Sequence, residues 1–306
     1  MLEFNSGLFN IIKRTKKSLI PVYIDYASKH EIRVIIGKEI EAENFNKLNG
    51  LQLRDLVYDK VCQLKAKYAV NEKKYNVLGL GDSITFGEDY NGDYIDGFYQ
   101  SVVKRLDKEA LLNNSYNLAI PGATIDDLKQ LILNDDYQER LTSVLSEEND
   151  KLIKSLVLQK KESVSELIRN SDYLIMSIGA NDILQIVKKG KVTKNDIYDG
   201  FKELYERTAS LIKIIKELNP KLKIILIGLY FPYPHSKVLQ KFNKMKVLDL
   251  YYHKLEVKNK GIKSLLISQQ IEENRDNYMP SKRNIHLSKE GYDYIADEII
   301  KNFGSV

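Results

Sequence analysis

The stretch that decides the fold is NVLGLGDSITFG, residues 76–87. A short apolar run leads into Gly81-Asp82-Ser83, and the residues that follow suit the first turn of a helix. A glycine-rich turn between a strand and a helix serves one of two purposes, since it either cradles a phosphate or presents a nucleophilic serine. The rest of the sequence has to distinguish these two interpretations.

The phosphate interpretation fails on residue types. A dinucleotide-binding loop needs a third glycine where Ile84 stands, and an acidic residue at the end of the next strand, which here reads NLAIP. No Gly-Lys-Ser/Thr follows, so a Walker loop is excluded as well. The turn therefore favours a serine nucleophile at Ser83, and we expect no nucleic-acid partner and no cofactor.

Five apolar runs of strand length alternate with helical segments from Asn76 onward: 76–80, 115–119, 172–179, 222–230 and 262–268. Such runs are typical of parallel strands buried on both faces. Their alternation with helices predicts an α/β fold, a three-layer doubly wound parallel sheet with right-handed crossovers. Residues 134–170 form a charged, leucine-punctuated helical insertion. It is longer than a crossover needs, and is either a cap over the site or a longer crossover.

Residues suited to acyl chemistry follow three of these runs. Ser83 follows the first, Gly122 the second and Asn181 the third. Because the carboxyl ends of parallel strands meet at one edge of the sheet, these residues should share one crevice. A serine, a main-chain N–H and a side-chain amide are a nucleophile with two donors for a developing oxyanion.

The first 75 residues differ from the rest of the chain in pattern and charge. Residues 22–28 and 32–40 predict a hairpin and residues 43–69 a helix, so we place a domain boundary at 75. This extension holds 14 Lys/Arg against 9 Asp/Glu, so it carries the whole net charge of +5. Its segment 7–17, GLFNIIKRTKK, predicts an amphipathic helix that packs on its own protein or makes peripheral contact with an anionic membrane surface.

Composition sets further limits. With 306 residues and 43% apolar side chains the chain can bury a sizeable core. The single Cys62 excludes a disulfide within the chain and a cysteine-based metal site, and we expect no metal. The sequence shows no membrane-spanning run or export signal, so a cytoplasmic location is expected if the start is native. An extracellular or surface-associated location is expected if an export segment was trimmed.

Four blocks in register resemble the GDSL, or SGNH, hydrolase family over about residues 76–303. They are a serine block, a glycine block, a Gly-x-Asn-Asp block and a histidine block, at Gly81-Asp82-Ser83, Gly122, Gly179-x-Asn181-Asp182 and His286. The segment IGLYFPYP, 227–234, further resembles a Gram-positive bacterial branch of that family. The resemblance implies a flavodoxin-like sheet, the SGNH hydrolase fold, carried here behind the N-terminal hairpin-plus-helix extension.

The resemblance also implies a role for each residue. Ser83 attacks an ester carbonyl, and His286 takes its proton. The N–H groups of Ser83 and Gly122 hold the oxyanion together with the Asn181 amide. The expected function is a serine esterase acting on small acyl or acetyl esters, such as an O-acetylated saccharide, a lysophospholipid or a short-chain lipid ester. We assign Asp82 and Asp182 a supporting role, in which they hold their loops in place by hydrogen bonds beside the turn glycines Gly81 and Gly179.

One position departs from the family pattern. The aspartate that orients the base usually stands three residues before it, and here that residue is Arg283, while Asn284 carries no charge. Three explanations stay open. A main-chain carbonyl orients His286, or a carboxylate reaches it from the preceding loop, the candidates being Glu272, Glu273 and Asp276. Otherwise the chain is a catalytically impaired binding or scaffolding protein.

Overall fold

The computed structural model describes residues 14–15, 17–28, 31–68, 74–145, 149–159, 162–188, 193–230, 247–281 and 284–303. These residues form two compact units, 1–74 with 104–112 and 75–103 with 113–306. The boundary expected at residue 75 stays a prediction. Most of the basic segment 7–17 and all of Arg283 lie outside the described residues, so their roles also stay predictions.

The larger unit contains a five-stranded sheet, whose strands in chain order, β3 to β7, are Tyr75–Gly81, Leu112–Asn117, Tyr173–Ser177, Lys223–Ile227 and Ile262–Leu265. Their order across the sheet is β4-β3-β5-β6-β7. The pairs β3–β5, β5–β6 and β6–β7 are parallel and in continuous register. Counted from β3, this order is 2-1-3-4-5, that of the flavodoxin-like sheet, whose strand order reverses beside the first strand. The predicted α/β doubly wound class is confirmed.

Helices lie before, between and after these strands. In chain order the helices of the described residues, α1 to α13, are Gly50–Tyr68, Ser83–Phe86, Phe98–Lys108, Ile125–Asn134, Tyr137–Val144, Asp150–Gln159, Val164–Asn170, Ala180–Lys188, Lys194–Leu218, Val247–Lys258, Ser268–Glu273, Arg275–Tyr278 and Lys289–Asn302. No helix of this described part is both long and apolar enough to cross a membrane.

The sheet forms the centre of the core because its middle strands are apolar on both faces. Every residue of β5, YLIMS, is buried, and four of the five residues of β6 are buried. The edge strand β4, LNNSYN, is different, since Asn113 and Asn114 are exposed. The strand begins about three residues earlier than its predicted run at 115–119. The prediction missed this start because an edge strand with polar residues has no buried apolar pattern.

In the described residues of the helical insertion expected at 134–170, the structure has three helices, α5 to α7. Side chains from this stretch pack in the main core, among them Tyr137, Leu141, Leu167 and Ile168. The Tyr137 hydroxyl donates to the main-chain oxygen of Asn117 at 3.3 Å, at the end of β4. These contacts show that part of the stretch packs in the core, and both the longer crossover and a cap over the site stay predictions.

The smaller unit is built on a two-stranded antiparallel hairpin. Its strands, β1 and β2, are Val22–Ser28 and Glu31–Ile36, and α1 follows after a short 3₁₀ turn at Ala42–Asn44. The unit has its own apolar cluster, formed by Ile40, Phe45, Leu53, Val57 and Val61. The predicted hairpin and helix are therefore present, with the helix beginning seven residues later than expected.

Candidate active site

Ser83 lies at the sharp turn that joins β3 to α2. Gly81 has a φ of +143°, and a Cβ there would lie 2.3 Å from the Ser177 carbonyl oxygen. Asp82 caps α2, since its Oδ1 accepts from the Ile84 amide at 3.1 Å. Thr85 Oγ1 accepts from the Ser177 amide at 2.9 Å, which fixes the helix against the end of β5. The turn therefore holds Ser83 rigidly at the carboxyl edge of the sheet.

His286 lies next to Ser83, although 203 residues separate them in the sequence. Its Nε2 is 2.7 Å from Ser83 Oγ, and both side chains are buried. The Tyr230 hydroxyl donates to the main-chain oxygen of Ile285 at 2.7 Å, so the segment that follows β6 supports the loop that carries the histidine. A hydroxyl within hydrogen-bond reach of an imidazole is the arrangement that a serine nucleophile and its general base require.

Asn284 fixes the tautomer of His286. Its Oδ1 is 3.1 Å from the His286 main-chain N and 2.6 Å from Nδ1. The main-chain N–H is an obligate donor, so the atom facing it must be the amide oxygen. Because that same oxygen contacts Nδ1, the ring proton must be on Nδ1. Nε2 is then unprotonated and points its lone pair at Ser83.

The carboxylates expected to orient His286 are not those that the structure places near it. Glu272 pairs with Arg275, Glu273 accepts from Gln269 Nε2 at 2.8 Å, and both are exposed, as is Asp276. The carboxylate beside Nδ1 is instead Glu88, whose Oε1 is 3.5 Å away.

Loop geometry explains why Glu88, and none of the three predicted carboxylates, lies beside Nδ1. The loop that precedes His286 turns its acidic residues outward, whereas the turn after Ser83 runs back toward the imidazole. Neither Glu88 nor Asn284 is predicted from the sequence to orient His286. The signal for Glu88 was Gly87, because a glycine at a helix end commonly reverses the chain.

The two predicted oxyanion donors from the other loops lie at the same edge of the sheet. Gly122 has a φ of +79°, and a Cβ there would meet no atom of the described residues within 4 Å. Asn181 is the second residue of α8, and its Nδ2 donates to the Ala123 main-chain oxygen at 3.0 Å. That contact uses one of two amide hydrogens and ties Asn181 to the loop of Gly122. The N–H of Ser83, at the first position of a helix, has no intrahelical acceptor.

Asp182 connects three parts of the site. Its Oδ2 accepts from the Ile125 amide at 3.1 Å, at the start of α4, and its Oδ1 is 2.8 Å from Arg207 Nη2. Burial nevertheless raises the pKa of Asp182 above its ordinary value, against the opposing effect of Arg207. Gly179 precedes it with a φ of +106°, and a Cβ there would lie 2.9 Å from Leu204 Cδ1. Asp182 and Gly179 thus shape the loop that carries Asn181.

Burial shifts the pKa of two groups at the centre. Burial lowers the pKa of His286 to about 4, against the opposing effect of the Asp89 charge. Burial also raises the pKa of Asp82 to about 7, although hydrogen bonds from Ile84 and Ser177 counteract it. The imidazole is therefore neutral at neutral pH and is able to accept a proton.

The architecture and the serine–histidine contact define an SGNH-type hydrolase, and comparison with known proteins assigns the family. The model of the GDSL-like lipase/acylhydrolase family matches residues 80–294, so the chain belongs to that family. The chain is accordingly a carboxylic ester hydrolase.

Three relatives illustrate the likeness. The uncharacterized protein YpmR of Bacillus subtilis (strain 168) is 22% identical over 244 residues, covering 77% of this chain and 84% of YpmR. The lipase Lip_vut3 from a goat rumen metagenome is 17% identical with a TM-score of 0.55, covering 74% of this chain and 97% of that one. A catalytic mutant of Axe2, an acetylxylan esterase from Geobacillus stearothermophilus, is 17% identical with a TM-score of 0.51, covering 76% and 96%. The two structural likenesses show the shared fold, and the Bacillus relative supports the Gram-positive resemblance.

Proposed function

We propose that the chain is a serine esterase in which Ser83 is the nucleophile and His286 the general base. The observation that carries this proposal is the 2.7 Å contact between Ser83 Oγ and His286 Nε2, with the ring proton held on Nδ1 by Asn284. The proposal also accounts for the turn at Gly81, which places Ser83 at the carboxyl edge of the sheet with a φ of +143° at the glycine.

Acylation follows from this geometry. Ser83 Oγ attacks the ester carbonyl carbon while its proton moves to Nε2, and the carbonyl oxygen becomes an oxyanion facing the N–H groups of Ser83 and Gly122 and the Asn181 amide. The imidazolium then gives its proton to the departing alkoxide, which leaves as an alcohol. A water molecule deprotonated by His286 hydrolyses the acyl-enzyme by the reverse sequence and releases the carboxylic acid.

The proposed substrates are small acyl or acetyl esters, with an O-acetylated saccharide, a lysophospholipid or a short-chain lipid ester as candidate classes. Both an acetylxylan esterase and a lipase share this fold, which supports this range. A series of nitrophenyl esters with acyl chains of increasing length distinguishes the classes. A sharp maximum of kcat/KM at acetyl would support a deacetylase, whereas a rise toward longer chains would support a lipid ester.

Labelling by a fluorophosphonate probe tests the nucleophile directly. We expect phosphonylation on the peptide that contains Ser83, lost in Ser83→Ala and strongly reduced in His286→Ala. The matched control is Ser155→Ala, because Ser155 is exposed and its hydroxyl donates to the Leu152 carbonyl within α6. That variant should label as the parent protein does. Absence of label throughout the neutral range would contradict the proposal and favour a catalytically impaired binding protein.

The lowered pKa of His286 predicts the pH dependence of the reaction. The base acts only when neutral, so kcat/KM falls as the pH drops through the histidine pKa of the free enzyme. Since burial lowers that pKa to about 4, we expect kcat/KM for nitrophenyl acetate to stay level from neutral pH well into the acidic range. Circular dichroism at each pH separates loss of the base from acid unfolding. An acidic limb near the ordinary histidine value of about 6.5 would contradict the expectation.

A further inference from the structure

We propose that Glu88 is a positioning carboxylate of this centre and supplies the negative charge that the loop before His286 lacks. The inference rests on the proposed roles of Ser83 and His286. In it, orientation and charge come from two different residues. Asn284 orients the imidazole, and Glu88 stabilises the imidazolium once the serine proton has moved.

The distances support this division. Asn284 Oδ1 is 2.6 Å from Nδ1 and takes the direct hydrogen bond, whereas Glu88 Oε1 is 3.5 Å from the same nitrogen. An amide oxygen can orient the ring, but it offers no charge to an imidazolium. An opposite charge within about 4–6 Å favours the charged form of a titratable group, so Glu88 lies within effective range. The Glu88 and His286 side chains are largely shielded from water, which strengthens their interaction.

The backbone holds Glu88 in this place. Its amide donates to the Ser83 main-chain oxygen at 3.0 Å, and its own carbonyl oxygen accepts from the Tyr292 hydroxyl. Gly87, with a φ of +105°, reverses the chain before it, and a bridge to Tyr94 continues the turn. The carboxylate is thus attached to the same turn that presents the nucleophile, and its distance from the base is set together with that of Ser83.

The neighbouring carboxylate, Asp89, has a different task. Asp89 Oδ1 accepts from the amides of Asn91 and Asp93 at 2.8 and 2.9 Å, so it closes the loop after Glu88. Burial lowers the pKa of His286 and raises that of Glu88, and the Asp89 charge opposes the first shift and adds to the second. Of these two neighbouring carboxylates, Glu88 is the one that lies against the ring, with its Oε1 3.5 Å from Nδ1.

The first test is Glu88→Gln, which removes the charge and keeps the shape. We expect kcat for nitrophenyl acetate to fall about 10- to 100-fold, with KM nearly unchanged. This loss is smaller than the loss of about 10⁴-fold known for removal of a triad acid, because Asn284 still sets the tautomer of His286. The matched control is Glu290→Gln, since Glu290 is exposed in the first turn of α13. It should leave kcat unchanged.

The second test is rescue. Asn284→Asp keeps an oxygen at the position that accepts from the main-chain N and Nδ1 of His286, and it adds a charge there. In the Glu88→Gln background we expect this change to restore kcat to within a few fold of the parent protein. If Glu88 mattered only because it holds its turn in shape, Asn284→Asp would not restore kcat, because the new carboxylate replaces none of the contacts of that turn.

A measurement without substrate separates this inference from the proposed function. In ¹⁵N-histidine NMR, with His286 assigned by its loss in His286→Ala, the His286 pKa should be lower in Glu88→Gln and higher in Asn284→Asp than in the parent protein. If neither the parent protein nor any variant hydrolyses the ester or reacts with the fluorophosphonate probe, but these pKa shifts occur, the esterase proposal fails. The electrostatic coupling between Glu88 and His286 is then still supported. If Glu88→Gln keeps full kcat and an unchanged His286 pKa while the parent protein is active, the inference is overturned.

Discussion

Replacing Ser83 by alanine should reduce kcat for an activated acetyl ester by about 10⁵- to 10⁶-fold, the largest effect we expect from any single change in this chain. The reason is that the variant has no atom to form the acyl-enzyme, so only binding and the oxyanion donors remain. The fold should persist, because the hydroxyl contributes to the described site only its contact with His286 Nε2. Active-site titration checks the loss of the acyl-enzyme, and a thermal melt of the same sample checks that the fold persists.

The dependence of Ser83 on His286 makes the prediction sharper. If the two residues act as one unit, Ser83→Ala, His286→Ala and the double variant should have nearly equal residual kcat, since removing either partner already disables the other. Losses that multiply in the double variant would mean that the residues act independently. That result would contradict the nucleophile-and-base assignment even if Ser83 proved essential.

The sheet could be predicted from the sequence because its inner strands are buried on both faces. Runs such as YLIMS and KIILI have no polar alternation, and only a parallel sheet covered by helices accommodates several of them. The start of the edge strand β4 could not be predicted in this way, since exposed Asn113 and Asn114 lie within the strand. Its position depends on pairing with β3, which is a tertiary contact and leaves no local pattern.

The residues at the strand ends could be predicted for the same reason. Ser83, Gly122 and Asn181 each follow a strand, and parallel strands deliver their carboxyl ends to one edge. The group that orients His286 could not be predicted in this way. Asn284 and Glu88 reach the imidazole from loops almost 200 residues apart, and which acidic side chain turns inward depends on loop geometry. The family spacing therefore shows that Arg283 stands where the orienting aspartate is expected, but it does not show which residue orients His286 instead.

Replacing Asn181 by alanine is expected to lower kcat by about 10²- to 10³-fold, the typical loss for one oxyanion donor. The amide hydrogen not used by Ala123 would face the oxyanion, which exists only after Ser83 attacks. KM should therefore change little. Asn181→Asp should lose at least as much, because a carboxylate beside the developing oxyanion repels it and accepts hydrogen bonds where a donor is needed.

The alternative explanation is that Asn181 matters only because its Nδ2 holds the Ala123 carbonyl at 3.0 Å. Asn259→Ala is the matched control for that kind of contact, since Asn259 Nδ2 donates to the Leu255 carbonyl at 2.7 Å near the end of α10. That variant should retain kcat within about twofold. A boronic acid that forms a tetrahedral adduct on Ser83 separates the remaining possibilities. If Asn181→Ala weakens this adduct in proportion to the loss of kcat, the amide binds the oxyanion, whereas unchanged adduct affinity would reduce Asn181 to a support for the Gly122 loop.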